Sequence, residues 1–155
     1  MNFISLVLFV AQVEVAKSIA TFYERKLSGH VNNIGISLVV DCMFASTTNS
    51  GLPKMPYFFL QVQNNQCGDS HERNVAPPEG QMLAAMILAR SGEPSEINQD
   101  NKSIYGSWIQ GAIWRFTTLN GVEYCTSKTY DATQPDDLLQ IVFILRKLKE
   151  LILKR

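Results

Sequence analysis

An unbroken apolar run, Pro56-Tyr57-Phe58-Phe59-Leu60, passes directly into the polar patch Gln61-Val62-Gln63-Asn64-Asn65. A short apolar run bounded by turn signals reads as a strand buried on both faces. We assign this central strand to Tyr57–Asn64. Its polar end would carry side chains to the rim of a cleft from a rigid base, where α/β sheets commonly keep their chemistry. Alternation sets Val62 and Asn64 on one face and Gln61 and Gln63 on the other.

The pattern on either side predicts the remaining elements. Ile4, Leu8, Ala11, Val15, Ile19 and Phe22 recur at three- and four-residue steps, which predicts a helix over residues 3–27 stopped by Ser28-Gly29. Ile34–Ala45 is rich in strand formers and carries one charge, Asp41. Ser46–Met55 and Gln66–Pro78 have loop composition. Glu79–Ala89 reads as a short helix with Leu83, Met86 and Ile87 in the core. Gln81, near its start, is positioned to point back at the strand end. Arg90–Lys102 is polar again. A three-stranded meander follows over Ile104–Gln110, Ile113–Leu119 and Val122–Tyr130, with Asn120-Gly121 as a hairpin signal. Trp108, Trp114 and Phe116 are expected to pack on a helix rather than to stack on bases. The last helix runs from Gln134 to the end. Thr133 is its expected N-cap, Pro135 suits its first turn, and Asp136-Asp137 complement its dipole. Leu138, Ile141, Val142, Leu145, Leu148 and Ile152 form its apolar stripe. The predicted class is α/β in the broad sense (α+β): a mixed sheet flanked by helices, with a C-terminal β-meander and a long terminal helix.

Composition narrows this picture. A chain of 155 residues with 46% apolar and 18% charged residues is expected to form one domain over residues 1–155. Fourteen basic residues balance fourteen acidic ones, so the overall basic excess of a nonspecific phosphate binder is missing. Arg146, Lys147, Lys149, Lys154 and Arg155 do cluster in the terminal helix. That placement suits the helix dipole and also makes the best local surface for an anionic partner. The three cysteines, Cys42, Cys67 and Cys125, show no paired spacing, and with only His30 and His71 no zinc pattern arises. Scattered thiols fit a reducing, cytoplasmic setting. Cys42 and Cys125 are expected as packed thiols, and His71 as a solvated loop residue. The apolar start Met1–Val10 lacks a positive n-region, and Gln12, Glu14 and Lys17 interrupt it well before about 20 apolar residues. It is expected to be a buried helix, with no membrane partner.

Asp41 is the sharpest candidate for chemistry. A carboxylate in an apolar strand is costly unless it is paired, hydrogen-bonded or bound to metal. It is therefore either the acceptor of a structural hydrogen bond or a metal ligand, present or vestigial. The chain has no Walker A loop, no GxGxxG and no GxSxG, so phosphate-loop and hydrolase-elbow chemistry has no starting point.

Three stretches carry a resemblance. They are Pro56-Tyr57-Phe58-Phe59-Leu60-Gln61, then Glu79-Gly80-Gln81-Met82-Leu83-Ala84-Ala85-Met86, then Tyr105-Gly106 through Gly111, Trp114 and Phe116. With them the chain resembles the PD-(D/E)xK superfamily, in particular the restriction-endonuclease-like N-terminal nuclease domain of type I restriction subunits. The resemblance implies an Asp and a Glu on adjacent strands holding a divalent metal, with a Lys two residues past the Glu. The metal activates water and steadies charge on the scissile phosphate. Asp41 matches the first acid and would be the metal residue. The Glu-x-Lys positions fall on Val62-Gln63-Asn64, with Gln81 as a further site residue. Valine supplies no ligand and asparagine no cation. A Gln61-x-Gln63 alternative needs a one-residue slip. Asp69 and Glu79 lie beyond the strand, and Glu24, on the expected first helix, is a further acid that would face the site.

The leading expectation is a catalytically degenerate nuclease-like domain retained as a binding or structural module, with DNA as a candidate partner and no cofactor. A second is an active endonuclease that uses Mg2+, Asp41 and a migrated acid. A third is a protein partner-binding or homo-oligomerising domain that uses the sheet face or the terminal helix.

Overall fold

The computed structural model describes residues 19–63, 77–91 and 103–154. The expectations for residues 3–18, Asn64, Cys67, Asp69 and His71 lie outside them. The described residues form a mixed seven-stranded sheet and two helices, an α+β arrangement. Strands β1 (Ile19–Val31), β2 (Ile34–Thr47) and β3 (Pro53–Gln63) make an antiparallel meander. Helix α1 (Pro78–Ser91) then leads to β4 (Ile104–Gln110), which pairs with β3 in parallel. β5 (Ile113–Asn120) returns antiparallel beside β4. On its other side β5 pairs first with β6 (Glu123–Thr126) and then with β7 (Tyr130–Asp131). Helix α2 (Pro135–Leu153) closes the chain.

The expected first helix is a strand over its described part. Ile19–Leu27 lies in β1, paired with the far half of β2 at every position but Glu24. The cause is the connection. Asn32 and Asn33 have φ of 48° and 65°, so Val31 and Ile34 close a two-residue turn with both central residues left-handed. Asparagine tolerates that conformation, and such turns match strand twist. Once the turn forms, Thr21, Phe22 and Tyr23 are good strand residues whatever the spacing of Ile19 and Phe22.

Other boundaries move for similar reasons. β2 and β3 extend into the expected loop and leave a tight turn at residues 48–52, held by the Thr48 N–H donating to Leu52 O at 2.8 Å and the Leu52 N–H donating to Thr48 Oγ1 at 3.1 Å. α1 takes in Pro78 and Arg90, because proline suits a first turn and arginine a last one. The third strand of the meander is split into β6 and β7, with Val122 in the turn. Ser127 divides them by satisfying the sheet itself: its N–H donates to Phe116 O at 2.8 Å and its Oγ accepts the Phe116 N–H at 3.0 Å. The N-cap position of α2 is Gln134, with no side-chain cap, not Thr133. Thr133 is held instead by Asp131, whose Oδ1 accepts its N–H at 2.9 Å and its hydroxyl at 2.7 Å.

Both faces of the sheet are covered. On one face Phe22, Met43, Ala45, Phe59, Ile104 and Leu119 pack against Met82, Ala85 and Met86 of α1. Gly106 permits this approach, since a Cβ there would lie 2.6 Å from the Met82 sulfur and 2.9 Å from that of Met86. On the other face Phe44, Phe58, Leu60, Ile109, Trp114 and Phe116 pack against Ile141, Leu145 and Ile152 of α2, with Leu138 and Leu148 at the margin. The central run is therefore wholly interior: Tyr57, Phe58, Phe59 and Leu60 are exposed by 8% or less. Cys42 is packed as expected, whereas Cys125 is exposed on the short edge strand β6.

Leu145 is 1% exposed, so Leu145→Ala should lower stability by about 2–5 kcal/mol. Phe143, on the outer face of the same helix, is 58% exposed, and Phe143→Ala should change it by no more than about 0.5 kcal/mol. Urea denaturation of the two variants checks the orientation of α2, and equal effects would contradict it.

Candidate functional site

Asp41 sits where the β2–β3 ladder ends. The last paired residues on that side are Cys42 and Leu60. One residue further on, the Asp41 carboxylate takes over from the backbone, and the Val62 N–H donates to Asp41 Oδ2 at 2.6 Å. The β1–β2 ladder is also interrupted here. It pairs Tyr23 with Cys42 and Arg25 with Val40, skipping Glu24 and Asp41 between them. Glu24 has a φ of 47°. The alternation of both strands shifts at this step. Phe22 and Leu27 both meet α1 although they are an odd number of residues apart, and so do Val40 and Met43. A bend of this kind frees a side chain from either face and turns it toward the neighbouring strand.

The electrostatics follow from that position. Asp41 is half-buried, and loss of water raises its carboxyl above the ordinary range. The Val62 N–H opposes this shift, and the nearby Glu24 carboxylate adds to it. Next in the strand, burial pushes the Cys42 thiol up to about 12, the Asp41 charge adding to the effect. Cys42 is a packing group, not a nucleophile.

The structure places the other expected residues unevenly. The Val62 side chain packs against the α2-side core, so Val62 meets Asp41 through its backbone alone. Gln61 and not Val62 turns toward α1. Its Nε2 donates to Gln81 Oε1 at 2.7 Å, and the residue is 6% exposed. Carrying the β2–β3 register one step past Cys42–Leu60 sets Asp41 against Gln61. The site therefore joins Asp41, Gln61 and Gln81, with Gln63 two residues on. Gln61 thus lies on the α1 face and Val62 on the α2 face. Glu24 lies beside Asp41 as expected, but from a strand instead of a helix. Glu79 is in the first turn of α1. Among the described residues no group of three His, Cys, Asp or Glu side chains is placed to hold a metal ion. No described helix is long and apolar enough to cross a membrane.

A second feature was missed by sequence reasoning. Gln61 pairs with Trp108 across the parallel β3–β4 contact, and Trp108 pairs with Arg115 across β4–β5. Trp108 packs with the α1-side core, and the Arg115 guanidinium lies 6.0 Å from its ring centre. These three residues make one polar row across three strands. Gln61 Oε1, Trp108 Nε1 and Arg115 Nε are three of the five buried side-chain polar atoms without a hydrogen-bond partner among the described residues. The signal was the alternation of β4 and β5, which opposes Trp108 and Arg115 to Ile109, Trp114 and Phe116.

Two other surfaces lie elsewhere. A groove of about 510 Å3 opens at the far end of α1, lined by Val31, Leu83, Ile87, Leu119, Val122 and Tyr124 among others. The basic residues of α2 include Lys147, which pairs with Glu150 at 3.0 Å.

No protein-family model matches the chain, and neither does any curated protein or solved structure.

A raised carboxyl pKa means that the folded state holds the proton more tightly than the unfolded chain. The contribution of Asp41 to stability is full below its ordinary 3.8 and is lost as pH rises through the higher folded value. Asp41→Asn keeps an oxygen for the Val62 N–H and removes the charge. Its urea midpoint at pH 7 should match or exceed that of the parent, and any gain should fade as the pH drops below 3.8. A lower midpoint at pH 7 would mean that the fold needs the charge.

Proposed function

We propose that this chain is a catalytically degenerate form of the PD-(D/E)xK nuclease domain it resembles, retained as a binding or structural module with DNA as the first ligand to test. One observation carries the reading. At the divergence of β2 and β3 the register sets the amide Gln61 opposite Asp41, with the amide Gln63 two residues on. The order of elements supports it too: strands bearing Asp41, then β3, a helix bearing Gln81, and a parallel β4.

The residues present do not fit a catalytic magnesium centre. Magnesium is held through carboxylates in near-octahedral geometry, and neutral amides replace them poorly. A glutamine at position 63 also brings no positive charge near a reacting phosphate. Each preorganised electrostatic group typically contributes about 3 kcal/mol to a transition state. At about 1.4 kcal/mol per tenfold, two lost groups reduce a rate by about four orders of magnitude. A specific observation favours a second reading. Glu24 lies close enough to raise the Asp41 carboxyl, so it is the acid available to an active Mg2+-dependent endonuclease.

The degenerate reading expects no cleavage of duplex DNA above background with magnesium or manganese. Cleavage that disappears in both Asp41→Ala and Glu24→Gln would establish the active enzyme instead. A gain-of-function pair tests the site itself. Gln61→Glu with Gln63→Lys should create calorimetric manganese binding that is abolished by adding Asp41→Ala. Val62→Glu with Asn64→Lys, the pair the sequence alone suggests, should create none, because Val62 faces the α2-side core. Equal binding with and without Asp41 would remove that residue from the site.

A further inference from the structure

We infer that the groove at the far end of α1 binds a small amphipathic anion, an apolar body with a carboxylate at one end, which is the chemistry of a medium-chain fatty acid. The groove shares no residue with the Asp41, Gln61 and Gln81 site, and its occupancy does not depend on the nuclease-like reading.

The sheet leaves part of α1 uncovered. Met82–Ala89 is an unbroken apolar run, and a helix that is apolar all round needs cover all round. Met82, Ala85 and Met86 meet the sheet. Leu83, Ile87 and Arg90 follow one another at four- and three-residue steps on another face, along about 10 Å of helix, and line the groove. Ile87, expected in the core, is 41% exposed there.

Two hairpins build the walls. Val31 and Asn32 come from the β1–β2 turn, and Leu119, Val122 and Tyr124 from the β5–β6 hairpin. Leu119 and Tyr124 are cross-strand partners, so their side chains stand together on one face. Packing fixes both walls. Leu119 is buried, and β1 lies directly on α1, since a Cβ on Gly29 would come within 2.7 Å of Leu88 Cδ1. The groove holds about 510 Å3, which lies in the range of roughly 300–1,000 Å3 typical of small-molecule sites. A preformed site loses little to ordering when it binds. Removing water from its apolar walls supplies the driving force.

Charge selects the head group. Among the described residues that line the groove, Arg90 is the only charged one. Glu123 neighbours Tyr124 in β6, but alternation turns it to the other face. The end of α1 carries about half a negative charge, less than the full positive charge of Arg90, so this end of the groove is net positive. A guanidinium has five N–H donors, so a contact within the protein does not exhaust it, and it binds a carboxylate through two of them. The Ser91 hydroxyl is used inside the helix, donating to Ile87 O at 2.8 Å, and adds no charge.

Methyl 1H–13C spectra of the full chain, titrated with decanoate below its micelle concentration, test the site. Decanoate should shift the Leu83, Ile87 and Val122 methyls and leave those of Leu139 and Leu153, exposed on α2, in place. Decyltrimethylammonium should bind about tenfold more weakly or worse. Arg90→Gln should weaken decanoate by about tenfold, and Arg90→Lys should recover part of the loss. Val122→Glu, at a position 98% exposed and free of packing, should weaken decanoate by repulsion even where the Arg90 variants fail to fold. Ile87→Trp should fill the groove and abolish the Leu83 and Val122 shifts. Circular dichroism confirms that each variant is folded. Methyls that stay fixed in millimolar decanoate, equal shifts on α2, or an affinity undiminished in folded Arg90→Gln and Val122→Glu would overturn the site. Shifts of the groove methyls on concentrating the protein alone would assign the groove to a second copy and overturn it too. None of these outcomes bears on the metal tests of the degenerate-nuclease reading.

Discussion

A strand that is apolar on both faces needs cover on both faces and partners on both edges. β3 meets that demand with β2 on one edge, β4 on the other, α1 above and α2 below. Much of the architecture follows from it. The parallel contact with β4 requires a crossover, and α1 is the crossover. α1 covers only one face, so the terminal helix is needed for the other. Gly106 and the methionines of α1 show how closely this is fitted: glycine on the strand lets two flexible thioethers fill the contact.

The same demand explains where polarity can enter. The interior of β3 ends at Gln61, the first polar side chain after the apolar run, and it remains almost as buried as Phe58 or Leu60. A buried amide must find partners, and Gln81 supplies one from the start of α1. On the β2 side Asp41 replaces a lost ladder bond by accepting the Val62 N–H. That bond answers one question left open by the sequence. A structural role for Asp41 is visible, and it is compatible with a former or present ligand role, because only Oδ2 takes the Val62 N–H.

What the sequence revealed depended on how local the information was. The apolar run, the meander hairpin, whose turn falls one residue on at Gly121-Val122, and the stripe of α2 are each written in consecutive residues. The β1 strand was hidden because Ile19 and Phe22 satisfy a helical step equally well. The deciding signal, Asn32-Asn33, lies beyond the segment it governs. The face of β3 that holds the site was hidden for a different reason. Alternation separates Gln61 from Val62 but does not say which one looks toward Asp41. That choice is made by the position of α1 and by the bend at Glu24 and Asp41, both of which are long-range. Trp108 and Arg115 were overlooked because a tryptophan and an arginine on strands have many ordinary uses, and only the cross-strand register shows them beside Gln61.

The two faces of the sheet differ at these strand ends. Packed hydrophobes remove the cost of unpaired polar atoms. The α2 face of the sheet shows that this chain can build such a surface, with Phe58, Leu60, Ile109 and Trp114 in contact across β3, β4 and β5. The α1 face at the same strand ends keeps an amide, an indole and a guanidinium instead. The difference cannot come from the strands, which are the same three on both faces. It comes from what lies over them: a complete helix stripe on one side and the first turns of α1 on the other.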